Sequence, residues 1–237
     1  MDSDLPLSDD DLAAIRAADT PSICNAIEVV HGRRGFQGFT RGTILAAQPA
    51  LPAIFGVART AVIAGRLPPD EPPEIVRQRR MDYYRYMAHA PQPAVCVLQD
   101  DDYPDCVGAY WGEVNTAIHK GFGLQGALTN GVMRDLGDLE PGFQVLAGSI
   151  GPSHGWVHIR SFDTPVTVFG LTVHPGDVVH ADRHGAVVIP PAVLPELPRA
   201  LDTMREREAL VLGPARSPGF DFDTFEAAWT AFENARV

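Results

Sequence analysis

Glu113 and the adjacent pair Arg134-Asp135 are the residues whose types and spacing could carry chemistry in this chain. Arg134 offers a planar, permanently charged fork of donors, suited to a carboxylate or to a developing enolate oxygen. Asp135 is a hard oxygen ligand of the kind that Mg²⁺ or Mn²⁺ accepts, usually as one or two protein carboxylates plus waters. A metal held there would polarise an α-keto oxygen and stabilise the enolate left when a carbon–carbon bond breaks. Glu113 would orient the metal's waters or move a proton. A blander reading stands beside this one, in which Arg134 and Asp135 only pair with neighbours after a strand.

The elements between these residues decide whether they can meet. Glu113 is read in the first turn of a helix running to about Lys120. The N–H groups of Val114 and Asn115 then lack intrahelical acceptors and form a nest for a carboxylate. A short apolar strand follows, and a turn after it ends in Arg134-Asp135. A helix packed back on its own following strand would bring both ends to one cleft.

The flanking chain reads as a scaffold. Ser8 caps a helix to about Ala17, and Thr20-Pro21 caps a second, Ser22 to Val30, with Ile23, Ala26, Ile27 and Val30 on its apolar face. Asn25 and Glu28 lie off that stripe. His31 to Pro52 is a long connection with one short strand near Ile44. Gly56 to Gly65 is a β-branched strand bounded by glycines. Glu74 to about His89 is a helix expected to bury Ile75, Val76, Tyr83, Tyr86 and Met87, and Ala94 to Leu98 a buried strand. Short strands then recur at Phe143–Leu146, Trp156–Arg160, Val166–Phe169, Leu171–Val173, Val178–His180 and Ala186–Ile189, separated by Pro-Gly and related turns. A helix disturbed by Pro195 and Pro198 runs to about Glu208. Gly213 to Gly219 reads as a linker, and Asp221 to Ala235 as an amphipathic helix with Phe222, Phe225, Trp229 and Phe232 on one stripe. The expectation is one mixed α/β domain over residues 1–212, with its core at about 10–200, followed by linker and terminal helix over 213–237.

Composition narrows the function. The 237 residues are 45% hydrophobic and 21% charged, ordinary for a globular protein. A net charge of −11 argues against a nucleic-acid surface. The dense basic run Arg77, Arg79, Arg80 and Arg85 therefore reads as a solvated or subunit-facing helix flank. Gln99 to Pro104 lacks the spacing of a calcium loop. Gly123-x-x-Gly126 lacks the pattern of a dinucleotide site. No apolar run reaches the length of a membrane span, the first six residues do not resemble a signal peptide, and Cys24, Cys96 and Cys106 form no C-x-x-C pair. A soluble, cytoplasmic protein is expected. His119 lies about 120° round the helix from Glu113 and reads as a packing or interface residue. His154 and His158 lack a third ligand and read as substrate-side or interface residues. His174, His180 and His184 read as structural, with Asp177 and Asp182 bracing their turns.

Four stretches in order carry a resemblance. They are Gly56-Val-Ala-Arg-Thr60; Gly112-Glu113 with twenty residues before Arg134-Asp135; Gly126-Ala-Leu-Thr-Asn-Gly-Val-Met-Arg-Asp135; and Val173-His-Pro-Gly-Asp-Val-Val-His-Ala-Asp-Arg-His-Gly185 with Val187-Val-Ile-Pro190. Over about residues 10–200 the chain resembles the 4-hydroxy-4-methyl-2-oxoglutarate aldolase family. That family also holds oxaloacetate decarboxylases and the RraA-like regulators of RNase E. The resemblance implies a swivelling β/β/α sandwich, a homotrimer or homohexamer with sites at subunit boundaries, and Mg²⁺- or Mn²⁺-dependent cleavage of a small 2-oxo acid to pyruvate. By position, Asp135 would hold the metal, Glu113 would anchor its waters, Arg134 would stabilise the enolate, and Gly112 with the amides of Val114 and Asn115 would take the pyruvyl carboxylate. A non-catalytic trimeric regulator of a ribonuclease is the alternative. Asn25, where the family often has Asp, and Val114-Asn115, where it has leucines, depart from the pattern.

Overall fold

Near-continuous runs of apolar and β-branched residues, as in Ile54–Ala64 and Ala94–Asp100, build a sheet covered on both faces. The computed structural model of the chain describes residues 5–235. Its helices are α1 (Asp9–Ala17), α2 (Thr20–His31), α3 (Pro73–Ala88), α4 (Glu113–Gly121), α5 (Leu197–Ala215) and α6 (Phe222–Asn234). The strands of the large sheet are β1 (Leu45–Ala46), β2 (Ile54–Ala64), β3 (Ala94–Asp100), β5 (Leu124–Thr129), β7 (Gln144–Ala147), β9 (His158–Phe162), β12 (Val178–Asp182) and β13 (Gly185–Ile189). A small sheet holds β4 (Ala109–Trp111), β6 (Val132–Met133) and β8 (Ser149–Ile150), and β10 (Val166–Val168) pairs with β11 (Leu171–Val173) as a hairpin.

The large sheet runs β1-β7-β5-β3-β2-β12-β13, with β9 also on β2. Its centre, β2, β3, β5 and β7, is parallel, and the flanking pairs are antiparallel. Strand β2 is long enough to serve two partners on one side, β12 at Ile54–Val57 and β9 at Ala61–Ala64. Along β3 the side chains alternate. Cys96 and Leu98 join Tyr83, Met87, Trp111 and Phe143 beneath α3 and α4, whereas Val95 and Val97 join Val166, Val168, Leu171 and Val173 beneath the hairpin. Helices α1, α2 and α5 cover the rest of the helical face over Phe55, Val187 and Ile189. The layers are hairpin, curled sheet and helices, as the sandwich reading expects.

Several local expectations need correction. Asp19, not Thr20-Pro21, caps α2; its carboxylate accepts the Ser22 N–H at 2.9 Å, and Thr20 is already helical. On α3 only Tyr83 and Met87 are buried, and Ile75, in the first turn, is 48% exposed. Strand β3 continues to Asp100, so the acidic turn starts later than Gln99. Helix α5 extends through Gly213 and Pro214 to Ala215, which shortens the linker expected at Gly213–Gly219; a proline in a last turn removes only one hydrogen bond. Ser8 caps α1 as expected, with Asp11 completing a reciprocal capping box. No helix among the described residues is long and apolar enough to cross a membrane.

Candidate functional site

The backbone N–H of Glu113 meets the Arg134-Asp135 pair, but helix packing is not what joins them. Strand β4 lies immediately before α4, and β6 immediately before Arg134. The two pair in parallel, Ala109 opposite Val132 and Trp111 opposite Met133. One further ladder bond, Arg134 N–H to the Trp111 carbonyl at 2.8 Å, sets the dyad beside the start of α4. Sequence reasoning missed all of β4, β6 and β8. The signal for β4 was there, in the apolar run Ala109-Tyr110-Trp111 stopped by Gly112. The two-residue strands β6 and β8 are too short to show a period.

Gly112 is the N-cap of α4 and has no side chain to cap with. The missing oxygen comes from Asp135, whose Oδ2 accepts the Glu113 N–H at 3.2 Å. The same oxygen accepts from Arg134 Nε at 3.2 Å, an ion pair whose side chains are 28% and 39% exposed. The dyad thus does pair locally, as the blander reading expects, and it also caps a helix. Asp135 sits at φ +55°, a left-handed conformation unusual for any residue but glycine, and its carbonyl accepts from Asp138 N–H at 2.9 Å to close the turn.

The N–H groups of Val114 and Asn115 occupy the first turn of α4, where no intrahelical acceptor exists. Val114 is 66% exposed, so this end of the helix opens to the surface. The Asn115 side chain points the other way: Oδ1 accepts from the Tyr84 hydroxyl at 2.8 Å, and Nδ2 donates to the Tyr110 carbonyl at 2.7 Å. The candidate contribution of Asn115 is therefore its amide N–H alone. Thr116 ties the turn down from within; its hydroxyl bonds the Gly112 carbonyl and accepts the Glu140 N–H, each at 3.0 Å.

His119 completes this underpinning. It is fully buried against Trp111, with ring centroids 4.8 Å apart, and makes no contact with the dyad. Its Nδ1 lies 2.6 Å from the Asn115 carbonyl, which can only accept, so Nδ1 carries the proton. Nε2 then accepts from the Tyr83 hydroxyl at 2.7 Å. Burial holds His119 neutral, with its pKa lowered to about 4. His180, buried between Thr20 Oγ1 and the Ile15 carbonyl, is likewise lowered to about 4 by burial.

An unfolded histidine takes up a proton near pH 6.5, while these two stay neutral in the fold until about pH 4. Their contribution is complete above pH 6.5 and is lost progressively below it. Urea unfolding is expected to show a stability decline of about 3 kcal/mol per histidine across that window. A flat profile between pH 6.5 and 4 would contradict the burial.

The other histidines stay apart from the site. His154 Nδ1 lies 2.7 Å from the Gly155 carbonyl, and His158 Nδ1 lies 2.8 Å from that of Trp156. Among the described residues neither bonds Glu113, Arg134 or Asp135. Asp177 and Asp182 brace their turns, accepting the N–H of His174 and of His184 at 2.8 Å each. The cysteines are unpaired, and burial pushes the Cys24 thiol up to about 11, which removes it as a nucleophile.

Among the described residues no three His, Cys, Asp or Glu side chains converge as a metal cluster. The carboxylate held at this site is that of Asp135; Glu113 enters it through its backbone N–H, and its exposed side chain has no partner among the described residues. A hard carboxylate oxygen donor open to water suits Mg²⁺ or Mn²⁺, which keep several waters; it does not suit a closed zinc site. A side chain at position 112 would occupy the cradle between these groups, since a Cβ there would lie 2.4 Å from Asp135 Oδ2.

Comparison with known proteins adds the following. Residues 20–188 match the family model RraA-like, described as Aldolase/RraA. An uncharacterized protein of Methanocaldococcus jannaschii is 30% identical over 102 residues, 42% of this chain and 49% of that protein. The chain thus spans about half the length of that curated relative. The crystal structure of an uncharacterized protein from Pseudomonas syringae superposes with a TM-score of 0.70 at 20% identity, over 97% of both chains. Streptomyces coelicolor RraAS2, described as an unusual member of the RNase ES inhibitor RraA protein family, superposes with a TM-score of 0.64 at 21% identity, over 85% of this chain and 95% of its own. At such identities the superpositions speak for the fold.

Proposed function

The chain belongs to the RraA-like family, and on that premise we propose that it is a divalent-metal-dependent lyase yielding pyruvate from a small 2-oxo acid by aldol cleavage or decarboxylation. The observation that carries the reading is the convergence on Asp135 Oδ2, 3.2 Å from both the Glu113 N–H and Arg134 Nε, at the open start of α4. Such an arrangement sets a carboxylate, a guanidinium and unsatisfied helix amides around one small space.

Asp135 would hold Mg²⁺ or Mn²⁺, with Glu113 anchoring its waters. When bound, the metal supplies Lewis acidity toward the 2-oxo oxygen. The N–H groups of Val114 and Asn115, at the positive end of α4, bind the carboxylate next to the keto group. Arg134 faces the negative charge that gathers on the keto oxygen as the bond between C3 and the leaving carbon breaks. Glu113, open to solvent, relays a proton from water to C3 of the enolate, which becomes the methyl group of pyruvate. Asn115, Tyr84, Tyr110 and His119 hold the amides in place from below. Because Val114 and Glu113 face outward, a homotrimer or homohexamer in which a neighbouring subunit covers this end of α4 fits the reading. A cytoplasmic setting is part of the same proposal.

The test is oxaloacetate decarboxylation by the whole protein. Turnover above the free-metal rate is expected with Mg²⁺ or Mn²⁺, with loss on adding EDTA and in Asp135→Ala. Full metal-dependent activity in Asp135→Ala would sink the assignment. The rival reading, a non-catalytic trimer that regulates a ribonuclease, predicts no turnover on any 2-oxo acid and a stoichiometric ribonuclease partner.

A further inference from the structure

Away from Glu113, Arg134 and Asp135, a recess of about 560 Å³ opens between α2, α5 and α6. Its volume falls within the range of small-molecule sites. Each helix gives it one apolar wall residue: Val29 from α2, Met204 from α5 and Phe232 from α6. Three arginines complete it, Arg33 and Arg34 from the loop after α2 and Arg207 from α5, and none has an ion-pair partner among the described residues.

The loop that carries Arg33 and Arg34 is built rather than loose. Gly32, at φ +63°, ends α2, and the N–H groups of Gly32 and Arg33 return to the carbonyls of Val29 and Glu28 at 3.2 and 3.3 Å. Glu28 then reaches round the turn, its Oε1 accepting the Gly35 N–H at 2.8 Å and the Phe36 N–H at 3.2 Å. The Glu28 carboxylate, though it lines the recess, is therefore committed to the loop. Glu208 is the other carboxylate in the lining, so three guanidiniums face two carboxylates, one of them engaged. On a chain of net charge −11, a recess with that excess of cation is a local reversal of sign.

We propose that this recess binds an organic anion with an apolar body. The carboxylate, sulfonate or similar acidic head lies against Arg33, Arg34 and Arg207, and a ring or short acyl chain lies against Val29, Met204 and Phe232. Asn25, also in the lining and exposed, offers a neutral amide to polar groups on that body. The proposal does not depend on the lyase reading, since no residue of that site lines the recess.

The test is fluorescence titration of the whole protein with anilinonaphthalene sulfonate, against N-phenylnaphthylamine, which keeps the rings and lacks the anion. The sulfonate is expected to bind more tightly than the neutral probe. Arg33→Gln combined with Arg207→Gln is expected to weaken it on the order of a hundredfold, about tenfold for each charge-assisted hydrogen bond lost. Trp156→Gln, which removes an exposed aromatic outside the recess lining, is expected to leave sulfonate affinity unchanged. Arg33 lies on the surface and Arg207 is only partly buried, so the variants should keep the wild-type circular dichroism. Equal binding of the two probes, sulfonate affinity that survives loss of both arginines, or no sulfonate binding at all would each overturn the proposal.

Discussion

Arg134→Ala is expected to lower kcat for metal-dependent oxaloacetate decarboxylation by about a hundred- to a thousandfold, with a smaller effect on KM. That is the scale seen when one donor aimed at a developing oxyanion is removed. The guanidinium is 28% exposed and anchored through Nε to Asp135, which leaves its terminal nitrogens for substrate. The carboxylate of the ground state has a second set of donors in the α4 amides, so binding survives better than turnover. Arg134→Lys keeps the charge but loses the fork, and is expected to recover only part of the rate. Stability should change little, because the backbone bond from Arg134 N–H to Trp111 does not need the side chain. If kcat in Arg134→Ala stayed within a few fold of wild type, the enolate-stabilising role would be wrong.

How far the site was legible in the sequence depends on what each part rests on. The carboxylates, the arginine and the helix amides are declared by residue type and by position after a helix start. The device that gathers them was not: β4 and β6 are three and two residues long, and pairing between strands that short leaves no periodic trace. Spacing points to packing of α4 on its following strand, whereas the parallel pairing of β4 with β6 is what sets Arg134 and Asp135 beside the start of α4. Asn115 shows another limit. Its side chain was free to point outward on any pattern of spacing, and only the positions of Tyr84 and Tyr110 turn it inward.

The fold divides the same way. Strands with β-branched runs, such as β2, and helices with a clean stripe, such as α2, announce themselves, because burial on one side or both selects their composition. Helix α3 does not. Its arginines and tyrosines alternate without a clear apolar face, and spacing alone does not say that Ile75 stays exposed while Tyr83 and Met87 are buried. The recess between α2, α5 and α6 was also beyond reach, since it joins Val29 to Met204 and Phe232 across most of the chain. Asn25 and Glu28 lie off the core stripe, as their spacing expects, but nothing in the sequence says what they would line.

Gly112→Ala is expected to remove most metal-dependent turnover while leaving the fold in place. The backbone at Gly112 is extended, at φ −148° and ψ −171°, so any residue can adopt it and no backbone strain is at stake. The obstruction is spatial. An added Cβ would lie 2.4 Å from Asp135 Oδ2, 2.9 Å from Arg134 Nε and 3.1 Å from Arg134 Cγ. All three atoms belong to side chains, which can swing aside at low cost to the core. Swinging aside breaks the bonds from Oδ2 to the Glu113 N–H and to Arg134 Nε, so the two residues assigned to metal and oxyanion leave their places together. Losing the cap on α4 is worth about 1 kcal/mol, a small change in thermal midpoint. Misplacement of reacting groups by an ångström costs on the order of a hundredfold in rate. Metal titration, by calorimetry on the folded variant, separates the two effects. Weakened Mg²⁺ or Mn²⁺ binding with an intact melting transition is the expected result. Wild-type turnover in Gly112→Ala would mean that the chemistry does not pass through the Asp135–Arg134 corner, and the lyase proposal would fall with it.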